Sequence, residues 1–316
     1  MIQHAILVTG GSGQLGIELA RATLPQGWQV VAFDRTGIDL TDPAAIAATV
    51  AGGHDGQPWA AVINGAAYTA VDKAESDIVT AWKVNALAPA AFAEACAQAG
   101  IPLVQVSTDY VFAGDKPVSG AEGSALGNVE GQGAWEVDDP VGPLGVYGAS
   151  KLGGELAVRT SSARHAIMRT AWVVSPHGHN FIKTMLRVGA DRGHLRVVGD
   201  QHGSPTSAAD LAAALLTIAM RLAENPAAPG GTFHFSNAGA ASWADFAAEI
   251  FRQSAERGGP TATVEAITTA EYPTPARRPA NSLLSHAAIQ RAYGITPRPW
   301  AEALGDILDE LIGAKK

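Results

Sequence analysis

VYGASKLGGE, residues 146 to 155, sets a phenol at Tyr147 and an ammonium group at Lys151, four positions apart at the start of a helical pattern. That spacing puts both groups on one helix face. A tyrosine titrates near pH ~10 and is a poor acid or base at neutrality. A neighbouring ammonium stabilises the phenolate and can lower its pKa by about 1 to 3. Such a pair becomes a proton donor for a carbonyl oxygen that is receiving hydride. Tyr-x-x-x-Lys alone is common on solvated helix faces, so its meaning depends on what accompanies it.

Two further stretches accompany it. LVTGGSGQLGIELA carries Gly10, Gly13 and Gly16 directly after an apolar run and at the opening of a helical one. Glycines there allow a tight turn and bring backbone N–H groups against a pyrophosphate at the positive helix end. This context favours a dinucleotide over a merely tight turn. The second apolar run ends at Asp34, where a carboxylate can bond ribose hydroxyls, and Arg35 follows it. Asp34 favours NAD and Arg35 can accommodate a 2′-phosphate, so NADH and NADPH both remain open. The cationic ring of an oxidised nicotinamide would add to the effect of Lys151 on Tyr147. The other stretch, LVQVSTDYVF, ends a β-branched run with Ser107, Thr108, Asp109 and Tyr110. Ligands of parallel sheets bind beyond the carboxyl ends of the strands. Thr108, Asp109 and Tyr110 are therefore expected at the same cleft as Tyr147, with Thr108 donating to the substrate oxygen. A cap or turn is the plainer use of the same residues.

The elements needed to hold these groups are legible. AILVT, WQVVAF, AAVINGA and PLVQVS alternate with helical stretches, which implies parallel strands, right-handed crossovers and an α/β doubly wound Rossmann sheet. HAIMRTAWVVS (165 to 175) and GTFHFSN (231 to 237) read as further strands. After Ser175 the rhythm changes to NFIKTMLRVGADRG, VVGDQHGSPTS and two later helices, which reads as a smaller, interleaved substrate domain. The division expected is 1-174 with 206-236 for the dinucleotide and 175-205 with 237-316 for the substrate. Residues 113 to 145 are Gly-rich, acidic and aperiodic, either an active-site flap or a solvent-facing insertion.

Composition excludes several classes. The 316 residues are 47 % hydrophobic and 16 % charged, with a formal charge of −8, which fits a globular chain and argues against a nucleic-acid partner. The longest apolar stretch, Leu211 to Met220, is far short of a membrane span. No signal peptide is recognisable, so a cytoplasmic location is expected. The one cysteine, Cys96, lies in a helical pattern and reads as a buried thiol.

Taken together, NGAAYTAVDKAESD (64 to 77), STDYVF (107 to 112), YGASKLGGE (147 to 155), RTAWVV (169 to 174), NFIKTM (180 to 185), VVGDQHGSPTSAADL (197 to 211) and ARRPANSLLS (276 to 285) resemble the dTDP-4-dehydrorhamnose reductase family of extended short-chain dehydrogenases/reductases. The resemblance spans nearly the whole chain, and STDYVF and DQxGxPT are its most specific parts. It implies reduction of the C4 ketone of dTDP-4-dehydro-L-rhamnose by NADPH or NADH, giving dTDP-L-rhamnose for cell-surface polysaccharide. It further implies Gly13, Gln14 and Leu15 at the pyrophosphate, Asp39 and Leu40 near the adenine, and Ala66, Ala67 and Tyr68 along the cofactor. Tyr147 is then the acid, Lys151 orients the ribose, and Thr108 assists at the ketone. Asp109, Tyr110 and Trp172 would contact the sugar. Asn180, Phe181 and the DQHGSPT loop, with Gln201, Pro205 and Thr206, would grip the nucleotide diphosphate, unless that loop is purely structural.

The family pattern departs here at Ala113, where an aspartate is usual, and in the expanded link to the Tyr147 helix. Members occur as monomers or as homodimers bridged by magnesium; no ligand cluster is identifiable, so no metal residue is assigned. Tyr110 stands where sugar-nucleotide dehydratases place a second carboxylate, which disfavours dehydration. Reduction of another keto-sugar, C4 epimerisation, or a non-catalytic NADP-binding regulatory subunit are the competing readings.

Overall fold

The computed structural model describes residues 4–118, 133–161 and 163–313. Residues 119–132, within the stretch read as a flap or insertion, lie outside the described residues. Six strands, β1 (His4–Thr9), β2 (Trp28–Phe33), β3 (Ala61–Asn64), β4 (Leu103–Thr108), β5 (His165–Thr170) and β6 (Gly231–His234), form one sheet in the order β6-β5-β4-β3-β1-β2. Every pairing in it is parallel. The strands alternate between two apolar layers. Ile6, Val8, Ile63, Val104 and Met168 face the Ala208–Glu224 helix at Leu211, Leu215 and Ile218. Leu7, Val62, Leu103 and Ile167 face the other way, onto Phe92 and Cys96 of the Ala88–Ala99 helix. A sheet covered on both faces needs continuously apolar strands, which is how these read in the sequence. Burial pushes the Cys96 thiol up to about 12, so it packs as a small hydrophobe.

The later elements gather around a separate apolar cluster, in which helices Phe181–Asp191, Trp243–Glu256 and Trp300–Ile312 contribute Ile182, Phe246, Ile250, Leu304 and Leu308. A parallel pair, His194–Val198 with Thr263–Ile267, stands beside them. The run HAIMRTAWVVS is not one strand. It stops at Thr170, turns through Trp172 at φ 48°, and resumes as Val173–Val174 against Thr206–Ser207. Left-handed backbone is costly for a bulky residue. Here it is held by stacking of the Trp172 indole on Trp243, 3.5 Å between centroids, and by Thr206 N–H donating to Trp172 O at 3.1 Å. Among the described residues no helix is long and apolar enough to cross a membrane.

The Val146–Thr160 helix is fixed to the sheet by a buried ion pair. Glu155 Oε1 accepts from Ser107 Oγ at 2.6 Å and from Arg169 Nε at 2.9 Å, and Oε2 accepts from Arg169 and Arg159, each at 2.8 Å. Glu155 and Arg169 are almost wholly buried, and the guanidinium also lies 4.9 Å from the Phe112 ring centroid. Removing one partner strands the other's charge, which costs about 3–5 kcal/mol. Glu155→Ala is therefore expected to lower the unfolding free energy by that amount in urea denaturation. A loss below about 1 kcal/mol, the range of an exposed pair, would contradict this account of the helix's attachment.

Candidate active site

At the end of β1 the chain turns through Gly10, whose φ is 81°, and Gly13 N–H donates to Gly10 O at 2.9 Å. The Gln14–Arg21 helix begins there without a side-chain cap, so its first amides are left for a ligand. Gly16 is required by packing: a Cβ there would sit 2.1 Å from Gly10 O. Gly11 N–H donates to Phe33 O at 2.9 Å, which joins the turn to the end of β2. Beside it a cleft of about 370 Å³ is lined by Gly11, Ser12, Ala32, Phe33, Asp34 and Gly37. Asp34 Oδ1 accepts from Thr36 and Gly37, which holds its carboxyl below the usual carboxylate range. Arg35 is exposed at the same rim. Free helix-end amides, close backbone and an ionised acid at the second strand are the groups a dinucleotide requires.

Across the sheet, β4 ends at Thr108 and passes into a short 3₁₀ turn, Asp109–Val111. Thr108 Oγ1 donates to Asp109 Oδ1 at 2.8 Å and accepts from Tyr110 N–H at 3.2 Å. The Tyr147 phenol faces Thr108, and burial, the largest influence on it, pushes its pKa up to about 12. The Tyr110 ring meets Tyr147 edge-on, centroids 5.4 Å apart. Lys151 is buried, and its Nζ donates to Val106 O at 2.7 Å. Burial lowers the ammonium to about 8, and Glu155 one turn on opposes that shift. The expected lowering of the phenol by Lys151 is not seen in the protein alone: the ammonium is tied to the sheet and burial favours the neutral phenol.

Several polar residues unread in the sequence connect the two halves. Ala66 N–H donates to Thr9 Oγ1, Thr9 to Asn64 Oδ1, Asn64 to Gln105 Oε1, and Gln105 to Val106 O, at 3.1, 2.6, 2.8 and 2.8 Å. Val106 O is the acceptor of Lys151, so an unbroken chain of hydrogen bonds runs from the glycine turn to the ammonium. Asn85 is a second connector. A π-helical turn, Lys83–Leu87, brings it inward, where it bonds both Tyr68 N–H and Tyr68 O and donates to Ser150 Oγ at 3.0 Å. Ser150 in turn donates to Tyr147 O at 2.8 Å. π-turns recur at functional sites, yet apolar periodicity gives no sign of one.

The other residues read from the sequence fall into two groups. Ala66, Ala67 and Tyr68 lie at the end of β3 beside the turn, and Tyr68 OH donates to Asp77 at 3.1 Å. Leu15 packs onto the core, leaving only its backbone to the turn. Asp39 accepts from Thr41 in a local turn, while Leu40 packs on the outer layer. Asn180 caps the Phe181–Asp191 helix and donates to Gln14 Oε1 at 2.8 Å, joining the glycine-turn helix to the later elements. Phe181 packs on Trp243 and Phe246, and Gln201 donates to Thr269 Oγ1 at 3.0 Å. Pro205 and Thr206 are buried, and Gly203 lies against the Trp172 indole. The DQHGSPT loop thus supports Trp172 from behind. Among the described residues no group of three or more His, Cys, Asp or Glu is placed to hold a metal ion.

A parallel doubly wound sheet with a glycine turn at one strand end and a Thr, Tyr and Lys site at another defines a nicotinamide-dependent oxidoreductase of the short-chain dehydrogenase type. Residues 4–312 match the sequence model of the RmlD substrate binding domain, and the chain belongs to the dTDP-4-dehydrorhamnose reductase family. It is 42 % identical over 299 residues to a dTDP-4-dehydrorhamnose reductase of Sinorhizobium fredii, covering 94 % of each chain. A crystal structure of a dTDP-4-dehydrorhamnose reductase from Clostridium acetobutylicum superposes with a TM-score of 0.84 at 36 % identity, covering 97 % of this chain and 99 % of the other. Another from Bacillus anthracis, in complex with NADP, gives 0.84 at 32 % identity and covers 98 % and 100 %.

Because a Cβ on residue 16 collides with the turn's own backbone, Gly16→Ala is expected to weaken NADPH binding by at least about tenfold, a loss of roughly 1.4 kcal/mol. Fluorescence titration of the cofactor measures this. Unchanged affinity would show that the turn is not the pyrophosphate site.

Proposed function

We propose that the protein reduces the C4 ketone of dTDP-4-dehydro-L-rhamnose to dTDP-L-rhamnose, with Tyr147 as proton donor. The observation that carries this reading is the meeting of Thr108, Tyr147 and Lys151 at strand ends that a hydrogen-bond chain joins to the glycine turn. The bound nicotinamide supplies the hydride. Tyr147 must begin protonated, and burial holds it so. Lys151 spends one of its three N–H groups on Val106 O, leaving two for ribose hydroxyls and a charge that steadies the phenolate formed as the proton leaves. Thr108 sits beside the phenol, where it can bond the substrate oxygen.

Gly10, Gly13, Gln14 and the Leu15 backbone hold the pyrophosphate in this reading, and Asp34 holds the adenosine ribose. Exposed Arg35, together with the NADP bound by the Bacillus anthracis relative, supports NADPH as the preferred donor. Tyr110 and Trp172 flank the sugar. Asn180 and Phe181 border the nucleotide end, with the DQHGSPT loop behind them. Residues 1-174 and 206-236 make up the dinucleotide part, a division supported by β6 joining the main sheet after the Ala208–Glu224 helix.

Tyr147→Phe removes the acid and keeps the ring. It is expected to retain cofactor affinity while turnover falls by about 10² to 10⁴. An unchanged rate in a steady-state assay that follows NADPH absorbance would refute the role of Tyr147.

A further inference from the structure

Asp109 is a buried titratable group that the proton transfer leaves without a task. It is 3 % exposed, its Oδ1 accepts from Thr108 Oγ1 at 2.8 Å, and its Oδ2 is buried with no hydrogen-bond partner among the described residues. Whatever it does toward a sugar, a carboxylate so placed acts first on its own neighbour. It controls something nearer.

That something is the one proton of the Thr108 hydroxyl. A threonine hydroxyl has one donor and two lone pairs. One lone pair of Thr108 accepts from Tyr110 N–H at 3.2 Å, and the proton goes to Asp109. Only a lone pair is then left toward the Tyr147 phenol and the place a substrate oxygen takes beside it. In this state Thr108 cannot donate to a ketone. If Asp109 carries a proton, the bond reverses: the carboxyl O–H donates to Thr108 Oγ1, and the threonine proton is released toward the substrate. No atom is gained or lost beyond the proton on Asp109.

We propose that Asp109 is a positioning residue that sets the donor direction of Thr108, its protonated form turning the hydroxyl toward the substrate carbonyl and its carboxylate turning it away. This rests on the reading of Thr108 and Tyr147 as the ketone-facing pair. The groups that face Asp109 are Thr108 and Tyr110 on its own turn, Tyr147 on the Val146–Thr160 helix and Ser282 on the C-terminal segment. Two charged groups that act on Tyr110, Asp72 and Arg278, are paired with each other at 2.9 Å. Burial is the dominant influence and pushes the Asp109 carboxyl up to about 6, with the Ser282 and Thr108 hydroxyls opposing it. A substrate that expels further water from the pocket moves it in the same direction.

The test is the pH dependence of kcat and kcat/KM at saturating NADPH for the wild type, Asp109→Asn, Thr108→Val and the double variant. The active form is the protonated one, so the wild-type rate should fall as pH rises through a one-proton transition, approaching about tenfold per pH unit above it. That transition should be absent from both single variants, and Asp109→Asn should change nothing further in the Thr108→Val background. NADPH affinity should be the same in all four proteins. Persistence of the transition in either single variant, its absence from the wild type, or an equal effect of Asp109→Asn in both backgrounds would overturn the proposal. A wild type that turns over no keto-sugar would instead remove the reductase reading beneath it.

Discussion

The 2.7 Å hydrogen bond from the Lys151 ammonium to the Val106 carbonyl is the contact on which the geometry of the site depends. A buried ammonium is costly unless its donors are used, and the Val106 carbonyl near the end of β4 offers the acceptor. The same carbonyl ends the hydrogen-bond chain through Thr9, Asn64 and Gln105. One backbone oxygen thus receives both the Lys151 ammonium, proposed to orient the cofactor, and the last side chain of the chain that braces the strands under the glycine turn. Glu155, one helical turn on, supports the charge and is itself held by Ser107 and Arg169.

This arrangement explains the division of labour along STDYVF. Ser107 helps to fix the Val146–Thr160 helix through Glu155, while Thr108, where the strand ends, lies beside Tyr147 two turns earlier on the same helix. One dipeptide thus meets both the attachment of the helix and its phenol. Asp109 then enters a 3₁₀ turn and folds back onto Thr108 rather than out into the cleft. Tyr110 returns to the site and lays its ring edge-on to Tyr147.

Much of this was legible in the sequence because a two-sided parallel sheet writes its strands as unbroken apolar runs and its ligand end as glycines and hydroxyls. The strands, the glycine turn and the Tyr147 and Lys151 spacing are features of local pattern. The bracing chain was not legible. Thr9 and Asn64 each end an apolar strand and Gln105 interrupts one, and only the strand order puts them side by side. Asn85 was hidden because a π-turn shifts the helix register by one residue, which periodicity cannot register. The break at Trp172 was hidden as well, since AWVV has the composition of a strand and the turn is imposed by contacts with Trp243 and Gly203 from distant parts of the chain.

The proposed chemistry brings hydride and proton to one carbonyl and consumes cofactor in the act. NADPH deuterated at its transferable position, supplied with dTDP-4-dehydro-L-rhamnose and the wild-type protein, tests it most directly. The account predicts one deuterium at C4 of each dTDP-L-rhamnose formed and one equivalent of cofactor oxidised. An altered sugar without label at C4, formed with no net oxidation of NADPH, would contradict it.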